Sequence, residues 1–473
     1  MLANVFAADQ VLMPVGSAQT LEAGFANHLV SQRRADYMNP VLPPVSSGGS
    51  AQTATLLARR PTCYAGFASG LSNVDNSVNL ATYCQLIMIP KKFSAVRLGW
   101  IHQGGNGALS GLRMVAASTT DIGDLSNTNT TLGKRFVTPY RDGAEQNTLS
   151  FAGWKAVTWG GSATGSATDK GTDNYDVIWS DLIAVQALPL ASDPTGRFSG
   201  YYPLLVRVFP GAGFYSRGSY VGFSDAAKFL TDCGPMVVLG ANRGGGDHVA
   251  NLSGWSAAGT PSFSDSSVIP LLIEAYGPYD VPSVLWVGDS RFGSAPNSES
   301  ATYAYRTMSH RFEQASVADG KAVKTLRVAQ GGKTTAVFFQ RVNEMLLDAV
   351  IQPTVAIALG YSINDGFPTE QLLAEAKGRV VQFVDTCRKT NKIIPMLVPM
   401  FPSSTAGYGA MWSQVQEFVS FCGGLAPIVD PIALYGGLTG AWQPGWAEDD
   451  NHMTPDGQTN LAANLYAAAK LLF

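Results

Sequence analysis

One serine in this chain lies where a strand would present it as a nucleophile. Residues 284–287 are all apolar, and they lead directly into Gly288, Asp289 and Ser290. A short unbroken apolar run predicts a buried parallel strand, and Gly288 permits a sharp turn where that strand ends. Ser290 is therefore predicted at the carboxyl end of a strand, where open α/β sheets bind ligands. A serine there needs a neighbouring base to become a nucleophile, and taken alone it could merely cap a helix.

One histidine has an acid at a spacing that suits such a base. The chain contains His28, His102, His248, His310 and His452. Asp449 precedes His452 by three residues, so its carboxylate can reach Nδ1 of the imidazole and leave Nε2 to accept the serine proton. Asp247 and His248 form a second acid–histidine pair, but no nucleophile motif accompanies it.

These residues resemble the motifs of the SGNH (GDSL-type) hydrolases. The pairing of Gly288-Asp289-Ser290 with Asp449-x-x-His452 resembles the first and last motifs of that family. Residues 330–335 resemble the block that supplies a glycine amide, and residues 359–365 resemble the block that supplies an asparagine. The resemblance covers roughly residues 280–473. It implies a flavodoxin-like three-layer α/β sandwich with a parallel sheet, and ester hydrolysis without a metal or an organic cofactor.

The resemblance also implies a role for each residue. Ser290 would attack a carbonyl, His452 would carry the proton, and Asp449 would hold the imidazole. The oxyanion would be bound by the amide of Ser290, the amide of Gly332 and the side-chain amide of Asn364.

Three details of these motifs leave alternatives open or depart from the family. Gly331 competes with Gly332, which is preferred because it directly precedes x-Thr, as the family's glycine does. Asp450 is the alternative to Asp449, at a spacing that is less usual for the family. Ser362 stands where the family has glycine, so we expect the loop that carries Asn364 to be shaped differently.

The composition excludes several classes of function. The 473 residues are 14% charged with a net charge of −3 and no basic run, so we expect no nucleic-acid partner. No stretch reaches the roughly 18 apolar residues of a membrane span. The five cysteines are far apart, which predicts buried thiols rather than a disulfide framework or a zinc site.

The start of the chain bears on the compartment. The first nine residues lack the basic and apolar regions of a secretory signal. The protein would then stay inside the cell, leave it by another route, or have lost its signal. Among these, an extracellular or virion-associated location is favoured.

The sequence pattern divides the chain into three parts. Residues 1–55 read as an arm, with one short helix and a Pro/Ser/Gly-rich linker. The arm is either a loosely packed terminus or an attachment to a larger assembly or a homo-oligomer. Residues 56–280 show period-two segments separated by turn clusters and long loops such as 159–169, which predicts an all-β, jelly-roll-like sandwich.

Residues 281–473 alternate predicted strands with predicted helices. The strands are expected at 284–287, 325–329, 355–359, 393–399 and 427–429, and the helices at 337–350, 370–387 and 411–421. A further helix is expected from about 301. Thr454 and Pro455 predict the start of the last helix. This alternation predicts a parallel sheet covered on both faces.

The substrate is indicated only by analogy. A β-rich region ahead of the catalytic part resembles the layout of carbohydrate esterases, and its aromatic residues would be core anchors or sugar platforms. Those residues are Trp154, Trp159, Trp179, Tyr201, Tyr202, Tyr215 and Trp255. We expect a short-acyl esterase, removing O-acetyl groups from a carbohydrate or a surface polysaccharide. The alternatives are a lipid esterase or thioesterase, and a glycan-binding adhesin of a virion tail whose hydrolase domain is silent.

Overall fold

The structure is a computed structural model. It describes residues 81–118, 154–190, 199–211, 271–277 and 281–473 with short internal gaps, together with short segments elsewhere. The chain divides into two compact units, Met1–Thr55 and Leu56–Phe473. In the first unit, strands β1 (Val5–Phe6) and β2 (Leu12–Met13) pair antiparallel. The predicted helix and linker of the arm lie outside the described residues.

The second unit contains two eight-stranded sheets. Its strands up to residue 276 are β3 (Cys63–Phe67), β4 (Ser72–Asp75), β5 (Ala81–Pro90), β6 (Ala95–Gln103), β7 (Leu109–Ser118), β8 (Tyr140–Arg141), β9 (Ala144–Glu145), β10 (Lys155–Ala156), β11 (Gly165–Ala167), β12 (Tyr175–Trp179), β13 (Tyr201–Phe209), β14 (Phe214–Arg217), β15 (Gly222–Phe223), β16 (Val238–Gly244), β17 (Ser262–Phe263) and β18 (Leu271–Tyr276). They are followed by β19 (Ser283–Val287), β20 (Lys324–Arg327), β21 (Val355–Leu359) and β22 (Ile394–Val398).

The helices of the second unit all lie after residue 289 in the described part of the chain. They are α1 (Ser290–Gly293), α2 (Met308–Ala318), α3 (Thr335–Asp348), α4 (Glu370–Lys389), α5 (Trp412–Leu425), α6 (Pro431–Tyr435) and α7 (Pro455–Ala469). Short 3₁₀ turns occupy Ile363–Asp365 and Gly409–Met411. The last helix begins as predicted, because the Thr454 hydroxyl accepts the amide of Gly457 and Pro455 takes the first helical position.

The first sheet has the order β10-β7-β13-β5-β16-β15, with β11 also on β7 and β17 on β16. Its pairs are antiparallel apart from β15 and β16. The stretch 159–169 was predicted as a loop. This was wrong for residues 165–167, which form β11 and pair with β7. Such a three-residue strand is too short to show a period-two pattern.

The second sheet has the order β12-β6-β18-β3-β20-β19-β21-β22. Its first half is antiparallel and its second half is parallel. Strand β3 joins the two halves, since it pairs antiparallel with β18 and parallel with β20. The change of sequence pattern near residue 280 therefore coincides with a change of strand direction within one sheet, and the division into separate domains there stays a prediction.

Strands of the second sheet lie between two buried clusters. In β6, Leu98 and Trp100 belong to a cluster that also contains Leu204 of the first sheet. The next residue, Ile101, belongs instead to the cluster formed with the helices. Side chains alternate between the two faces of a strand, so β6 contributes to both cores. Side chains of the two sheets thus pack in one cluster. That the sheets form a jelly-roll-like sandwich stays a prediction.

The parallel half agrees closely with the predicted strands, with one exception. The stretch 427–429 was predicted as a strand, but only Ile428 forms a bridge, to Leu397. Proline has no N–H to give to a ladder, and Asp430 already caps α6. Pro427 and Asp430 therefore leave too little room for a strand.

Two further observations concern the class of protein. Within the described residues, no helix is both long and apolar enough to cross a membrane. Cys387 and Cys422 are buried free thiols. Burial raises the pKa of the Cys422 thiol to about 12, so this group is inert at neutral pH.

Candidate active site

Ser290 is the first residue of α1, directly after strand β19. The side chain of Asp289, not of Ser290, caps this helix by accepting the amide of Arg291 at 3.0 Å. Ser290 is therefore not the cap, and its hydroxyl is half-buried at the end of the strand. Gly288 is required here for close packing, since a Cβ would lie 3.0 Å from the Phe292 ring and 3.1 Å from Cβ of Leu359.

The structure brings Ser290, His452 and Asp449 together. The Oγ atom of Ser290 lies 3.0 Å from Nε2 of His452. On the other side of the ring, Nδ1 lies 3.0 Å and 3.2 Å from the two carboxylate oxygens of Asp449. Asp450 is also exposed, and the bond that the structure records for it is from Trp442 Nε1 to its backbone carbonyl. Of the two candidate acids, Asp449 is the one that reaches the imidazole.

The carboxylate of Asp449 is held by several donors. It accepts the backbone amides of Asn451 and His452, each at 2.7 Å, and the side-chain amide of Asn297 at 2.8 Å. Partial burial acts to raise the pKa of Asp449, but the hydrogen bonds from the His452 ring and from the backbone amides of Asn451 and His452 outweigh it. The pKa therefore lies below its ordinary value, and the group is a carboxylate at neutral pH.

The loop that carries His452 is tied to the segment after α1. Glu448 accepts the amides of Asn297 and Ser298, and its own amide donates to the carbonyl of His452 at 2.9 Å. The side-chain amide of Gln458 donates to the carbonyl of Ser294 at 3.3 Å. These bonds hold the imidazole loop and the serine turn as one assembly across 150 residues of chain.

The two adjacent glycines of the second motif have different surroundings. A Cβ on Gly331 would lie 3.7 Å from Cβ of Ser290, whereas a Cβ on Gly332 would meet nothing within 4 Å. Gly332 instead has a φ of +72°, which a side chain would strain. Gly331 thus lies directly beside the serine, and Gly332 sets the turn of the loop around it.

Asn364 lies on the 3₁₀ turn after β21, and its side chain points at the second motif. Its Nδ2 atom lies 3.1 Å from the carbonyl oxygen of Lys333 and 3.1 Å from Oγ of Ser362. The neighbouring Asp365 accepts the amide of Thr335 at 2.9 Å and also bonds the Thr335 hydroxyl. The loops of the second and third motifs are therefore joined beside Ser290, as an oxyanion site built from both would require.

A buried polar network lies directly behind Ser290, and the sequence did not reveal it. Asp289 and Arg291 form a two-pronged ion pair at 2.6 and 3.1 Å, with both side chains 5% exposed or less. The Arg291 guanidinium also donates to the carbonyl of Tyr361 and lies 4.8 Å from the centre of the Phe401 ring. Oγ of Ser362 lies 2.8 Å from Asp289 and 2.9 Å from the Lys333 carbonyl.

One feature of the sequence pointed to this network: Ser362 stands where the family has glycine. Its hydroxyl is fully buried and also accepts the amide of Asn364 at 3.1 Å. Burial acts to raise the pKa of Asp289, but the charge and the hydrogen bonds of Arg291, together with the Ser362 hydroxyl, bring it below its ordinary value. A glycine at position 362 would offer none of these side-chain bonds.

Other predicted residues lie outside this site or outside the described residues. His248 lies outside the described residues, and Asp247 pairs with Arg113. The glycine-rich turn at 104–107 binds the carboxylate of Asp169, which accepts the amides of Gly105 and Gly107 at 2.6 Å each. Within the described part of the chain, no group of three or more His, Cys, Asp or Glu side chains is arranged to hold a metal ion.

Comparison with known proteins finds similar structures but no match in sequence. No family model matches the chain, and no curated protein matches it. The similar solved structures include a lipase/acylhydrolase from Enterococcus faecalis, which is 14% identical with a TM-score of 0.31 and covers 40% of this chain and 96% of its own.

Two others are a GDSL-like lipase and an acetylxylan esterase. The lipase, from Bacteroides thetaiotaomicron, is 15% identical with a TM-score of 0.28 and covers 40% of this chain and 86% of its own. The esterase, a catalytic mutant of Axe2 from Geobacillus stearothermophilus, is 15% identical with a TM-score of 0.33 and covers 40% and 93%. About 40% of the chain is thus similar to solved GDSL-type hydrolases, the family that the motifs around Ser290 and His452 resemble.

Proposed function

We propose that this chain is a serine ester hydrolase. The observation that carries the proposal is the unbroken line of polar contacts from Ser290 through His452 to Asp449, with 3.0 Å at each step. A hydroxyl within hydrogen-bond distance of an imidazole whose other nitrogen faces a carboxylate is the arrangement that activates serine for attack. The same contacts argue against an adhesin with a silent hydrolase domain.

The reaction would proceed in two halves. The Ser290 oxygen attacks the ester carbonyl while its proton passes to Nε2 of His452, and the carbonyl oxygen becomes an oxyanion. That proton then passes to the leaving alcohol, which departs and leaves an acyl group on Ser290. A water molecule attacks this acyl-enzyme in the second half, giving its proton to His452, and the acid is released as Ser290 recovers its proton.

The oxyanion would be bound by donors from three different loops. These are the amide of Ser290, the amide of Gly332 and the side-chain amide of Asn364, with the Gly331 amide as the alternative to Gly332. Both Nδ2 hydrogens of Asn364 have acceptors in the structure, the Lys333 carbonyl and Oγ of Ser362. The hydrogen on Ser362 would turn to the oxyanion while the other keeps its bond to Lys333. Fixed donors stabilise developing charge because they need little reorganisation during the reaction.

The substrate we propose is a short-acyl ester, an O-acetyl group on a carbohydrate. Ser294, Asn297 and Ser298 follow the serine turn, and all three side chains are polar and at least partly exposed. A polar mouth suits a sugar better than an alkyl chain, which gains about 0.8 kcal/mol per methylene only against an apolar wall. An exported or virion-borne setting, with the arm as an attachment, belongs to the same proposal.

A longer acyl chain is the second candidate, and one residue favours it. Phe367 is 52% exposed and lies three residues after Asn364. Its ring is 6.1 Å from that of Tyr408, which in turn stacks on Trp412. Phe367 thus presents an exposed apolar ring on the loop that carries Asn364, with the buried ring of Tyr408 beside it. An acyl chain or an aromatic alcohol would pack on Phe367.

The test combines labelling with a comparison of substrates. A serine-directed phosphonate should label Ser290 and nothing else, as read by peptide mass spectrometry. The kcat/KM for a 4-nitrophenyl acetyl ester should exceed that for the decanoyl ester. Labelling at another residue would refute the site, whereas a clear preference for decanoyl would refute only the short-acyl substrate and support the lipid-esterase candidate.

A further inference from the structure

We propose that a cleft in the β-rich region, outside the candidate active site, binds a neutral polysaccharide. The cleft has a volume of about 570 Å³. Its lining consists of two tryptophans, one isoleucine, four hydroxyl side chains and two glycines: Trp159, Trp179, Ile178, Ser110, Ser162, Thr164, Ser166, Gly111 and Gly165. Indole faces pack against the apolar faces of sugar rings, and hydroxyls exchange hydrogen bonds with sugar hydroxyls.

The three described tryptophans among the predicted aromatic residues of the β-rich region fall into two groups, whereas the side chain of Tyr215 and the whole of Trp255 lie outside the described residues. Trp154 is 5% exposed and lies under the guanidinium of Arg207, so it is a core anchor. Trp159 and Trp179 are only half-buried and line the cleft. The choice left open by the sequence, between core anchors and sugar platforms, thus differs from one tryptophan to the next.

Trp159 is held in place before any ligand arrives. It exchanges two backbone hydrogen bonds with Ser162, at 2.9 and 3.0 Å, across a tight hairpin. Asp181 fixes the hairpin by accepting the amides of Gly160 and Gly161, each at 2.9 Å. A side chain that is already ordered loses little entropy on binding, which suits a platform for a flexible polymer.

Gly165 gives the indole of Trp159 its position. A Cβ at residue 165 would lie 2.8 Å from the ring, so the ring packs directly on the glycine backbone. Trp179 lies against Gly99, where a Cβ would be 3.0 Å from its ring, and the Arg97 guanidinium lies 5.1 Å from the centre of that ring. Glycine backbone thus supports both rings, and a cation also contacts Trp179.

The charges around the cleft indicate that its ligand is neutral. None of the lining residues is charged. Arg97 pairs with Glu274 at 3.4 Å, and both carboxylate oxygens of Asp181 accept hydrogen bonds from the hairpin. A polyanion would find no unpaired cation in the lining, and a cationic peptide would find no carboxylate there.

One strand connects the cleft to the candidate active site. Trp179 is the last residue of β12 and Tyr175 is the first, on the same face and about 14 Å apart at ~3.4 Å per residue. The Tyr175 hydroxyl donates to the side chain of Gln330 at 3.3 Å, and Gln330 directly precedes Gly331. Tyr175 is itself buried, so this connection runs through the core, and a polymer that reaches Ser290 would pass over the surface beside it. A small ester would bind at Ser290 without touching the cleft.

The test measures binding separately from hydrolysis, because the link to Ser290 rests on the proposed function while binding does not. Full-length protein is titrated by calorimetry with deacetylated xylan, glucomannan and dextran, and with alginate as a polyanion. At least one neutral polymer should bind, and Trp159→Ala should weaken it about tenfold or more, as truncating an aromatic hot spot does. Trp159→Phe keeps a ring face and should retain most of the affinity.

Hydrolysis gives the second readout. Trp159→Ala should lower kcat/KM on the acetylated form of the bound polymer about tenfold and leave 4-nitrophenyl acetate unchanged. The inference is overturned if no neutral polymer binds, if only alginate binds, or if Trp159→Ala binds as the wild type does with an unchanged melting temperature. Polymer binding without any ester cleavage would instead refute the proposed function and support the cleft as a polysaccharide site.

Discussion

The two carboxylates near Ser290, those of Asp449 and Asp289, differ in their exposure and in the group that each one faces. Asp449 faces the imidazole of His452 at the surface, with its side chain 42% exposed. Asp289 faces the guanidinium of Arg291 with its side chain 0% exposed. Burial acts to raise both pKa values, yet both lie below the ordinary range. The largest single lowering cause is the hydrogen bond from the His452 ring for Asp449 and the charge of Arg291 for Asp289.

The difference shows how one turn can be both reactive and rigid. The outer pair contains an imidazole, whose Nε2 can accept the serine proton and pass it on. The inner pair contains a guanidinium, which has no atom that accepts a proton, so it can only hold the turn. We therefore expect substitutions in the outer pair to change rates, and substitutions in the inner network to change stability.

Replacing the nucleophile should have the largest effect. We expect Ser290→Ala to lower kcat on 4-nitrophenyl acetate about a million-fold, since members of such a triad act as a unit. The melting temperature should hardly move, because the hydroxyl is half-buried and its hydrogen bond is to a side chain at the surface. Ser294→Ala is the matched control. A comparable loss in the control, or residual activity within about a hundredfold of the wild type, would contradict the assignment.

The orienting acid should come next. Asp449→Asn should lower kcat about ten-thousandfold, because the amide no longer stabilises the protonated imidazole or its correct tautomer. Asp450→Asn is the matched control and should stay within about twofold of the wild type, as a surface substitution without a role in the reaction. Equal effects in steady-state kinetics, or a larger effect at Asp450, would show that the acid has been assigned wrongly.

Replacing the inner carboxylate, Asp289, should change the stability rather than the rate. Asp289→Ala leaves the Arg291 guanidinium buried without its partner, which costs about 3–5 kcal/mol of unfolding free energy. Urea denaturation followed by circular dichroism measures this loss. A midpoint that shifts no more than that of Asp450→Asn would mean that Asp289 does not stabilise the turn.

The response to acid should also report on the inner carboxylate, Asp289. The pKa of Asp289 is lowered from about 3.8, so folding favours its charged form. Its contribution to stability is fully present above the unfolded pKa and is lost as the pH falls through the lower folded value. We expect the unfolding free energy to fall as the pH drops below about 4, with a shallower slope in Asp289→Asn. Identical slopes in the two proteins would refute this link.

Replacing Ser362 should have the smallest effect of these substitutions, and it should change both the stability and the rate. Ser362→Ala removes a buried hydroxyl that accepts the amide of Asn364, and leaving such a donor unsatisfied costs about 1–3 kcal/mol. We expect kcat to fall about tenfold while KM hardly changes, since an Asn364 that is held less firmly would stabilise the oxyanion less well. Ser362→Thr keeps the hydroxyl and should restore part of the rate. Wild-type kinetics in the alanine variant would show that Asn364 is held by its bond to Lys333 alone.

Much of the α/β part could be predicted from the sequence because its signals are local. The strand β21 was predicted with its observed bounds, and α7 begins at the predicted cap. The spacing from Asp449 to His452 is also local, since the contact spans three residues. The β-rich region was predicted less well, because a strand as short as β11 depends on its partner β7 rather than on its own pattern.

The sequence by itself determined which residues carry the candidate chemistry, because periodicity, capping and the motif spacings are written in neighbouring positions. Only the tertiary structure decided which of them meet. Ser290 and His452 are 162 residues apart and touch through the packing of two loops, and Asp289 joins Ser362 across 73 residues. Such contacts form only when the intervening chain is folded, so a buried ion pair behind the serine and a cleft lined by two tryptophans leave no pattern along the sequence.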